Sequence, residues 1–164
     1  MTFEGFRRIG GVAHHVLVDG SGPVCVLSAG LGLSWFDWDP VVPLLARHRT
    51  VVRFDRPGHG LSQPAAGPPT AAGEAHRIAA VLDALEVPGP ATVVGHSIAG
   101  FHAEAFARLH PDRTAALLLV DPSVTVFRWL FDEQFGVVNW LMRTLGFEGY
   151  EQHNWFETGF STLV

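Results

Sequence analysis

The sequence of 164 residues has little cysteine and no long apolar run. Its only cysteine, Cys25, excludes an intrachain disulfide, and the apolar residues around it favour a small buried thiol. No apolar stretch approaches about 18 residues, the length that a membrane-spanning helix requires. The N-terminal residues 1–8 lack the apolar core of a signal peptide. We therefore expect a cytoplasmic protein that does not act at a membrane.

Positive charge is also scarce, because 11 basic residues stand against 16 acidic ones and the net charge is −5. The two signs are interspersed and form no basic stripe, so we expect no nucleic-acid partner. The histidines, cysteine and acidic residues show no spacing typical of a metal site, and no cofactor is expected. Gly30-Leu31-Gly32 is no dinucleotide fingerprint, because Trp35 stands where its third glycine is needed.

Short apolar runs alternate with helical patterns along the first 123 residues. Asp39 and Pro40 predict the start of a helix that runs to about Arg47, Thr70 predicts the cap of a second, and a third follows Ser97. A hairpin is predicted at 6–9 and 12–18, and buried strands at 24–28, 50–54, 91–94 and 115–120. This order predicts an α/β fold, with a mostly parallel twisted sheet and helices on both faces.

The strongest chemical signal in the chain is the stretch 95–100, Gly-His-Ser-Ile-Ala-Gly. It follows a predicted strand and opens a predicted helix. A serine on such a sharp turn is lifted out of the sheet toward a substrate, provided that the residues two before and two after it are small. Gly95 and Ala99 meet this condition, although the second position is more often glycine. Ser97 is therefore the candidate nucleophile.

Three further segments accompany this turn in a characteristic order. Residues 28–32 follow the third strand, residues 54–62 follow the fourth, and residues 108–122 lead from the helix after Ser97 into the sixth. Together with the turn, they resemble the N-terminal two-thirds of an α/β-hydrolase, over residues 5 to about 123. The first resembles the oxyanion loop of that family, with Ala29 in place of its frequent histidine. The second is similar to its Asp-x-Arg-Gly-x-Gly-x-Ser loop.

The resemblance implies a hydrolase that attacks an ester, an amide or a similar carbonyl substrate with an apolar portion. Ser97 would be the nucleophile, and the backbone N–H groups of Leu31 and Ile98 would stabilise the oxyanion. A serine at this position, rather than an aspartate, speaks against the carboxylate nucleophile of dehalogenases and epoxide hydrolases in this fold. The expected partner is a small substrate.

The domain organisation follows from the same resemblance. Residues 1–123 would form the hydrolase core with six strands, and the aromatic-rich residues 124–164 would form a truncated helical lid. These aromatic residues either pack onto the sheet or line an apolar substrate pocket, and the sequence leaves both interpretations open. The sixth strand would then be an apolar sheet edge, which is expected to permit self-association.

A complete catalytic triad is not visible in the sequence. In this fold the acid and the histidine follow the nucleophile in that order. Asp121 is a candidate acid, but Asp121-Pro122 is also an ordinary strand ending, and His153 in the predicted lid is the one histidine that follows the helix after Ser97. We therefore expect an incomplete chain. Two alternatives are a non-catalytic binding protein of this fold and a half-enzyme completed by another chain.

Overall fold

The computed structural model describes residues 3–87, 89–122 and 144. Six strands form one sheet in the order β1-β2-β4-β3-β5-β6. The strands are β1 (Phe3–Ile9), β2 (Val12–Gly20), β3 (Val24–Ser28), β4 (Thr50–Phe54), β5 (Ala91–His96) and β6 (Thr114–Val120). Neighbours among β4, β3, β5 and β6 pair in parallel, whereas the β1–β2 hairpin joins β4 in antiparallel fashion. The predicted mostly parallel sheet is confirmed.

The central strands are buried on both faces because helices cover both. The α-helices are α1 (Val42–Leu45), α2 (Ala71–Ala84) and α3 (Ala99–Leu109), and short 3₁₀ helices span Trp35–Trp38 and Pro111–Arg113. In β3, Val24 and Val26 belong to the larger apolar cluster, which includes residues of α2 and α3. Cys25 and Leu27 point the other way, into a smaller cluster with Val42 of α1. This alternation is the side-chain period of a strand, and it confirms the predicted buried thiol.

The helix predicted from Asp39 and Pro40 is wrong in its bounds. The chain forms a 3₁₀ turn at Trp35–Trp38 and then only the four-residue α1 from Val42. Pro43, at the second position of α1, is well placed because its missing N–H would have no partner there. The cap predicted for α2 is confirmed, since the Thr70 hydroxyl accepts a hydrogen bond from the Gly73 N–H at 3.0 Å.

Strand β6 also differs from its prediction. The sequence predicts a buried strand, yet most of its residues are exposed, including Leu117, Leu118 and Val120. It pairs only with β5 within the described sheet, so one edge lacks the cover that the other parallel strands have. The contacts divide the chain into two units, Met1–Pro122 and Ser123–Val164. Apart from Thr144, the predicted lid lies outside the described residues.

Candidate active site

The turn at Ser97, where the sequence predicts a nucleophile elbow, has a strained backbone. Ser97 adopts φ +53°, a left-handed conformation that a residue with a side chain rarely takes. Its N–H donates a hydrogen bond to the Val120 carbonyl at 3.0 Å, and its own carbonyl accepts one from the Gly100 N–H at 3.0 Å. These bonds hold the backbone on both sides of the residue, so that β5 passes into α3 through Ser97 itself.

Close approach of the chain explains the small residue before the serine. A Cβ atom on Gly95 would lie 2.3 Å from the Ala99 carbonyl oxygen and 2.9 Å from the Ala103 Cβ, both closer than real Cβ contacts. Ala99 is itself fully buried. The sequence rule that requires small residues at 95 and 99 therefore reflects a physical crossing of β5 and α3 at this turn.

The two predicted oxyanion donors belong to separate segments, the N-terminus of α3 and the loop after β3. Ile98 is the N-cap of α3, so its N–H precedes the hydrogen-bond ladder of the helix, at the end where the helix dipole favours negative charge. Leu31 is 76% exposed and follows Gly30, which packs beside the serine. A Cβ atom on Gly30 would lie 3.2 Å from the Ser97 Cβ and 3.1 Å from the His96 Nδ1. The loop after β3 is thus brought against the elbow.

A buried arginine holds this loop through a hydrogen bond to its backbone. The sequence patterns do not indicate this role. Arg56 is 6% exposed, and its guanidinium donates a hydrogen bond of 2.5 Å to the Gly30 carbonyl. No described carboxylate forms an ion pair with Arg56, in contrast to Arg53, which pairs with Asp19 and Asp39. Burial lowers the pKa of Arg56, and the negative charge of Glu74 partly opposes that shift.

His102 of α3 lies near Arg56 and is held neutral. The residue is 5% exposed, and its Nδ1 has no hydrogen-bond partner among the described residues. Burial, followed by the positive charge of Arg56 and then His59, lowers the pKa of His102 to about 4. A second cation beside Arg56 is therefore avoided at neutral pH. The sequence places this residue on the helix after the elbow, but the local pattern does not indicate its charged neighbours.

Asp55 holds the surrounding loops together. Its buried carboxylate accepts hydrogen bonds from the Trp35 N–H at 2.9 Å and the Leu61 N–H at 3.0 Å, and lies 3.2 Å from the His15 Nδ1. One side chain thereby connects the hairpin, the 3₁₀ turn after β3 and its own loop. A Cβ atom on Gly60, at φ +49°, would lie 2.1 Å from this carboxylate. The glycine is required for that approach.

The candidate acid Asp121 follows β6 directly beside the elbow. It comes after Val120, whose carbonyl receives the Ser97 N–H, and it is exposed with φ +43°. The structure therefore brings the backbones of Ser97 and Asp121 together, although His153 lies outside the described residues. The predicted site residues converge at the carboxyl ends of β3, β5 and β6, where open α/β sheets bind their ligands.

A family model described as the alpha/beta hydrolase family matches residues 25–162 of the sequence. The chain belongs to this family. The match includes the loops after β3 and β4 and the turn at Ser97, and it extends the similarity into residues beyond the described part. The resemblance of the motifs is thereby confirmed, together with the fold that it implies.

Several relatives of this chain are hydrolytic enzymes. It is 34% identical to a fluoroacetate dehalogenase of Burkholderia sp over 136 residues, which cover 76% of this chain and 44% of the relative. It is 37% identical to the 2-hydroxy-6-oxo-2,4-heptadienoate hydrolase of Pseudomonas putida over 107 residues, 64% of this chain and 36% of the relative. A hydrolase structure from Pseudomonas aeruginosa PA01 aligns with a TM-score of 0.69 and 33% identity, over 73% of this chain and 46% of that one.

The chain spans less than half of the length of each of these three relatives. Within the described residues, no helix combines the length and apolar character needed to cross a membrane. The same part of the chain brings together no group of three or more residues of the types His, Cys, Asp and Glu that would hold a metal ion.

Proposed function

We propose that this chain carries the nucleophile half of a serine hydrolase that acts on ester or amide carbonyl groups. Ser97 attacks the carbonyl carbon, and the N–H groups of Ile98 and Leu31 stabilise the negative charge that develops on its oxygen. The observation that carries the proposal is the strained φ of +53° at Ser97, held between a strand and a helix N-terminus. Strain of this kind is typical of functional positions.

Exposed apolar side chains on the segments that follow β3 and β4 support a substrate with an apolar portion. Leu31, Phe36 and Leu61 are 76%, 57% and 59% exposed, and they lie on the loops that follow β3 and β4. Exposed large apolar residues on the loops that border a reactive group are typical of ligand sites. Recognition of a charged group on the substrate has less support, because the nearby Arg56 and Asp55 are both buried.

Serine chemistry also separates this chain from some of its relatives. Nucleophilic attack by a carboxylate, as in dehalogenases of this fold, requires an acidic residue at the elbow, and position 97 is a serine. Asp121 is the candidate acid of the triad. The candidate histidine base of this sequence is His153, and a longer form of the protein or another chain would supply the base if His153 does not. In its absence the oxyanion donors alone provide a low residual rate.

The test uses the chain of 164 residues with a fluorophosphonate probe and a short p-nitrophenyl ester. We expect Ser97-dependent labelling, which is abolished in Ser97→Ala, and a slow ester turnover that falls in the same variant. The matched control is Ser21→Ala, which removes an exposed serine from the loop between β2 and β3 and leaves both signals unchanged. A folded protein that is not labelled at Ser97 would contradict catalysis by this chain and favour a binding protein of the same fold.

A further inference from the structure

Two histidines outside the proposed active site meet on the surface between α2 and α3. The Nδ1 atom of His76 lies 3.0 Å from the Nε2 atom of His110. Their rings are nearly perpendicular at 89°, with centroids 5.1 Å apart. His76 belongs to α2 and His110 is the C-cap of α3, so 34 positions of sequence separate them. The sequence spacing therefore gives no indication of this pair.

The distance between the two nitrogens suits one particular coordination geometry. With metal–nitrogen bonds of about 2.0–2.1 Å, two imidazoles at 90° on one cation place their nitrogens about 2.9 Å apart, whereas a tetrahedral angle requires about 3.4 Å. The observed 3.0 Å matches the first value. Square-planar and octahedral arrangements are preferred by Cu²⁺ and Ni²⁺, and imidazole is a suitable ligand for both.

We infer that His76 and His110 form a surface site for Cu²⁺ or Ni²⁺, with the Nδ1 of His76 and the Nε2 of His110 as ligands. The cation takes the place of the proton between the two nitrogens, and that proton moves to the other ring nitrogen of the histidine that carried it. No third His, Cys, Asp or Glu of the described residues joins the pair, so water completes the coordination sphere. This inference is independent of the proposed chemistry at Ser97.

The backbone of His110 is already ordered for this role. Its N–H donates to the Phe106 carbonyl at 2.8 Å, and its own carbonyl accepts hydrogen bonds of 3.0 Å from the Arg113 N–H and from the Thr114 hydroxyl. Its ring lies against the ring of Phe106, with centroids 5.1 Å apart. His76 is held in the middle of the 14-residue α2. Binding therefore costs little conformational entropy, which favours affinity.

The positive groups near the histidine pair are already engaged by other residues, so they do not oppose a bound cation strongly. Arg113 is the nearby positive group, and the Asp83 carboxylate of α2 neutralises it through an ion pair of 2.8 Å. Arg77 is engaged elsewhere, with Glu74 and with the ring of His14.

The experiment titrates the protein with Cu²⁺ and with Ni²⁺ at pH 7, by calorimetry and by electron paramagnetic resonance of the Cu²⁺ complex. We expect one site with two coordinated nitrogens, and a rise in melting temperature as the cation links α2 to the end of α3. His76→Ala and His110→Ala each weaken binding by at least about tenfold, because the second ligand no longer acts at high effective concentration.

The matched control is His48→Ala, which removes another exposed histidine far along the chain from both ligands and leaves the affinity unchanged. His76→Gln serves as a second variant in α2, and circular dichroism checks that each variant is folded. An affinity in the His76 and His110 variants equal to that of the parent protein would overturn the site. A spectrum with a single coordinated nitrogen would also overturn it. An equal loss in His48→Ala would assign the binding to dispersed surface histidines and overturn it as well.

Discussion

The Arg56 guanidinium donates a hydrogen bond of 2.5 Å to the Gly30 carbonyl, and this contact joins the loop after β4 to the proposed oxyanion loop after β3. Gly30 lies against Ser97, and Leu31 is the next residue. The position of the Leu31 N–H relative to Ser97 therefore depends on a buried cation. Arg56 is best described as a positioning residue.

Substitution of Arg56 by methionine should loosen this loop with little cost to the fold. The Gly30 carbonyl keeps a second partner, the Leu33 N–H at 3.2 Å, so we expect a loss of about 1 kcal/mol in the free energy of unfolding. Amide hydrogen exchange over residues 29–36 should rise. Labelling of Ser97 should slow by about tenfold, less than the full loss of one oxyanion donor.

Val81→Ala is the control for Arg56→Met. Val81 is fully buried in α2 and belongs to the apolar cluster on one face of the sheet. Its truncation costs about 2 kcal/mol without touching the loop after β3. Exchange over residues 29–36 that rises equally in both variants would show that Arg56 contributes general stability only.

Asp55→Asn should be among the most destabilising polar substitutions in the described part of the chain. The buried carboxylate accepts from two backbone N–H groups and faces the His15 ring, and an amide replaces one acceptor oxygen with an NH₂ donor. We expect a loss of about 3 kcal/mol, measured by urea unfolding. Asp37→Asn is the matched control.

The Asp37 carboxylate accepts a hydrogen bond of 2.7 Å from the Ser34 N–H, but Asp37 itself is exposed. Its replacement should cost only about 0.5–1 kcal/mol, as for other exposed caps. Similar losses in the two variants would contradict the central role given to Asp55 in connecting the hairpin with the loops.

Features that depend on residues close together in the sequence were predictable. Contacts between residues far apart in the sequence were not. The elbow was predictable because Gly95 and Ser97 lie in one local turn, and the order of strands and helices follows from local periodicity. The hydrogen bond from Arg56 to Gly30 spans 26 positions and left no local signal. The exposure of Leu118 has the same cause, since an apolar strand has the same sequence at a sheet edge as at its centre.

Stability should fall on acidification because His102 is buried in its neutral form. Its pKa is lowered to about 4 in the folded protein, so the unfolded chain binds a proton first as the pH drops below about 6.5. Neutral His102 contributes to the free energy of unfolding above about pH 6.5, and this contribution falls by about 3 kcal/mol as the pH drops toward 4. Urea unfolding at several pH values measures this loss.

His102→Gln is the informative variant because its amide cannot be protonated. The variant should be less stable than the parent at pH 7 or equal to it, but its stability should depend less on pH between 6.5 and 4. The pKa of His14 is also lowered, chiefly by burial, and this background is shared by both proteins. Identical pH dependence of the two would contradict the assignment to His102.

The strain at Ser97 predicts an unusual order of stability between two inactive variants. Ser97→Gly and Ser97→Ala both lack the hydroxyl, so they lose the same proposed nucleophile and the same hydroxyl contacts. Only glycine adopts φ +53° without steric cost, which is about 1–2 kcal/mol for other residues. After subtraction of the entropy that glycine gains in the unfolded chain, Ser97→Gly should remain more stable than Ser97→Ala by about 1 kcal/mol.

A comparison inside α2 gives the reverse order. Ala80 has ordinary helical geometry, and Ala80→Gly should cost about 1 kcal/mol. If Ser97→Gly were less stable than Ser97→Ala by a similar amount, position 97 would behave as an unstrained residue. The expected order instead means that the chain keeps a serine where glycine would stabilise it, and a hydroxyl held at such a cost is explained by its chemistry rather than by the fold.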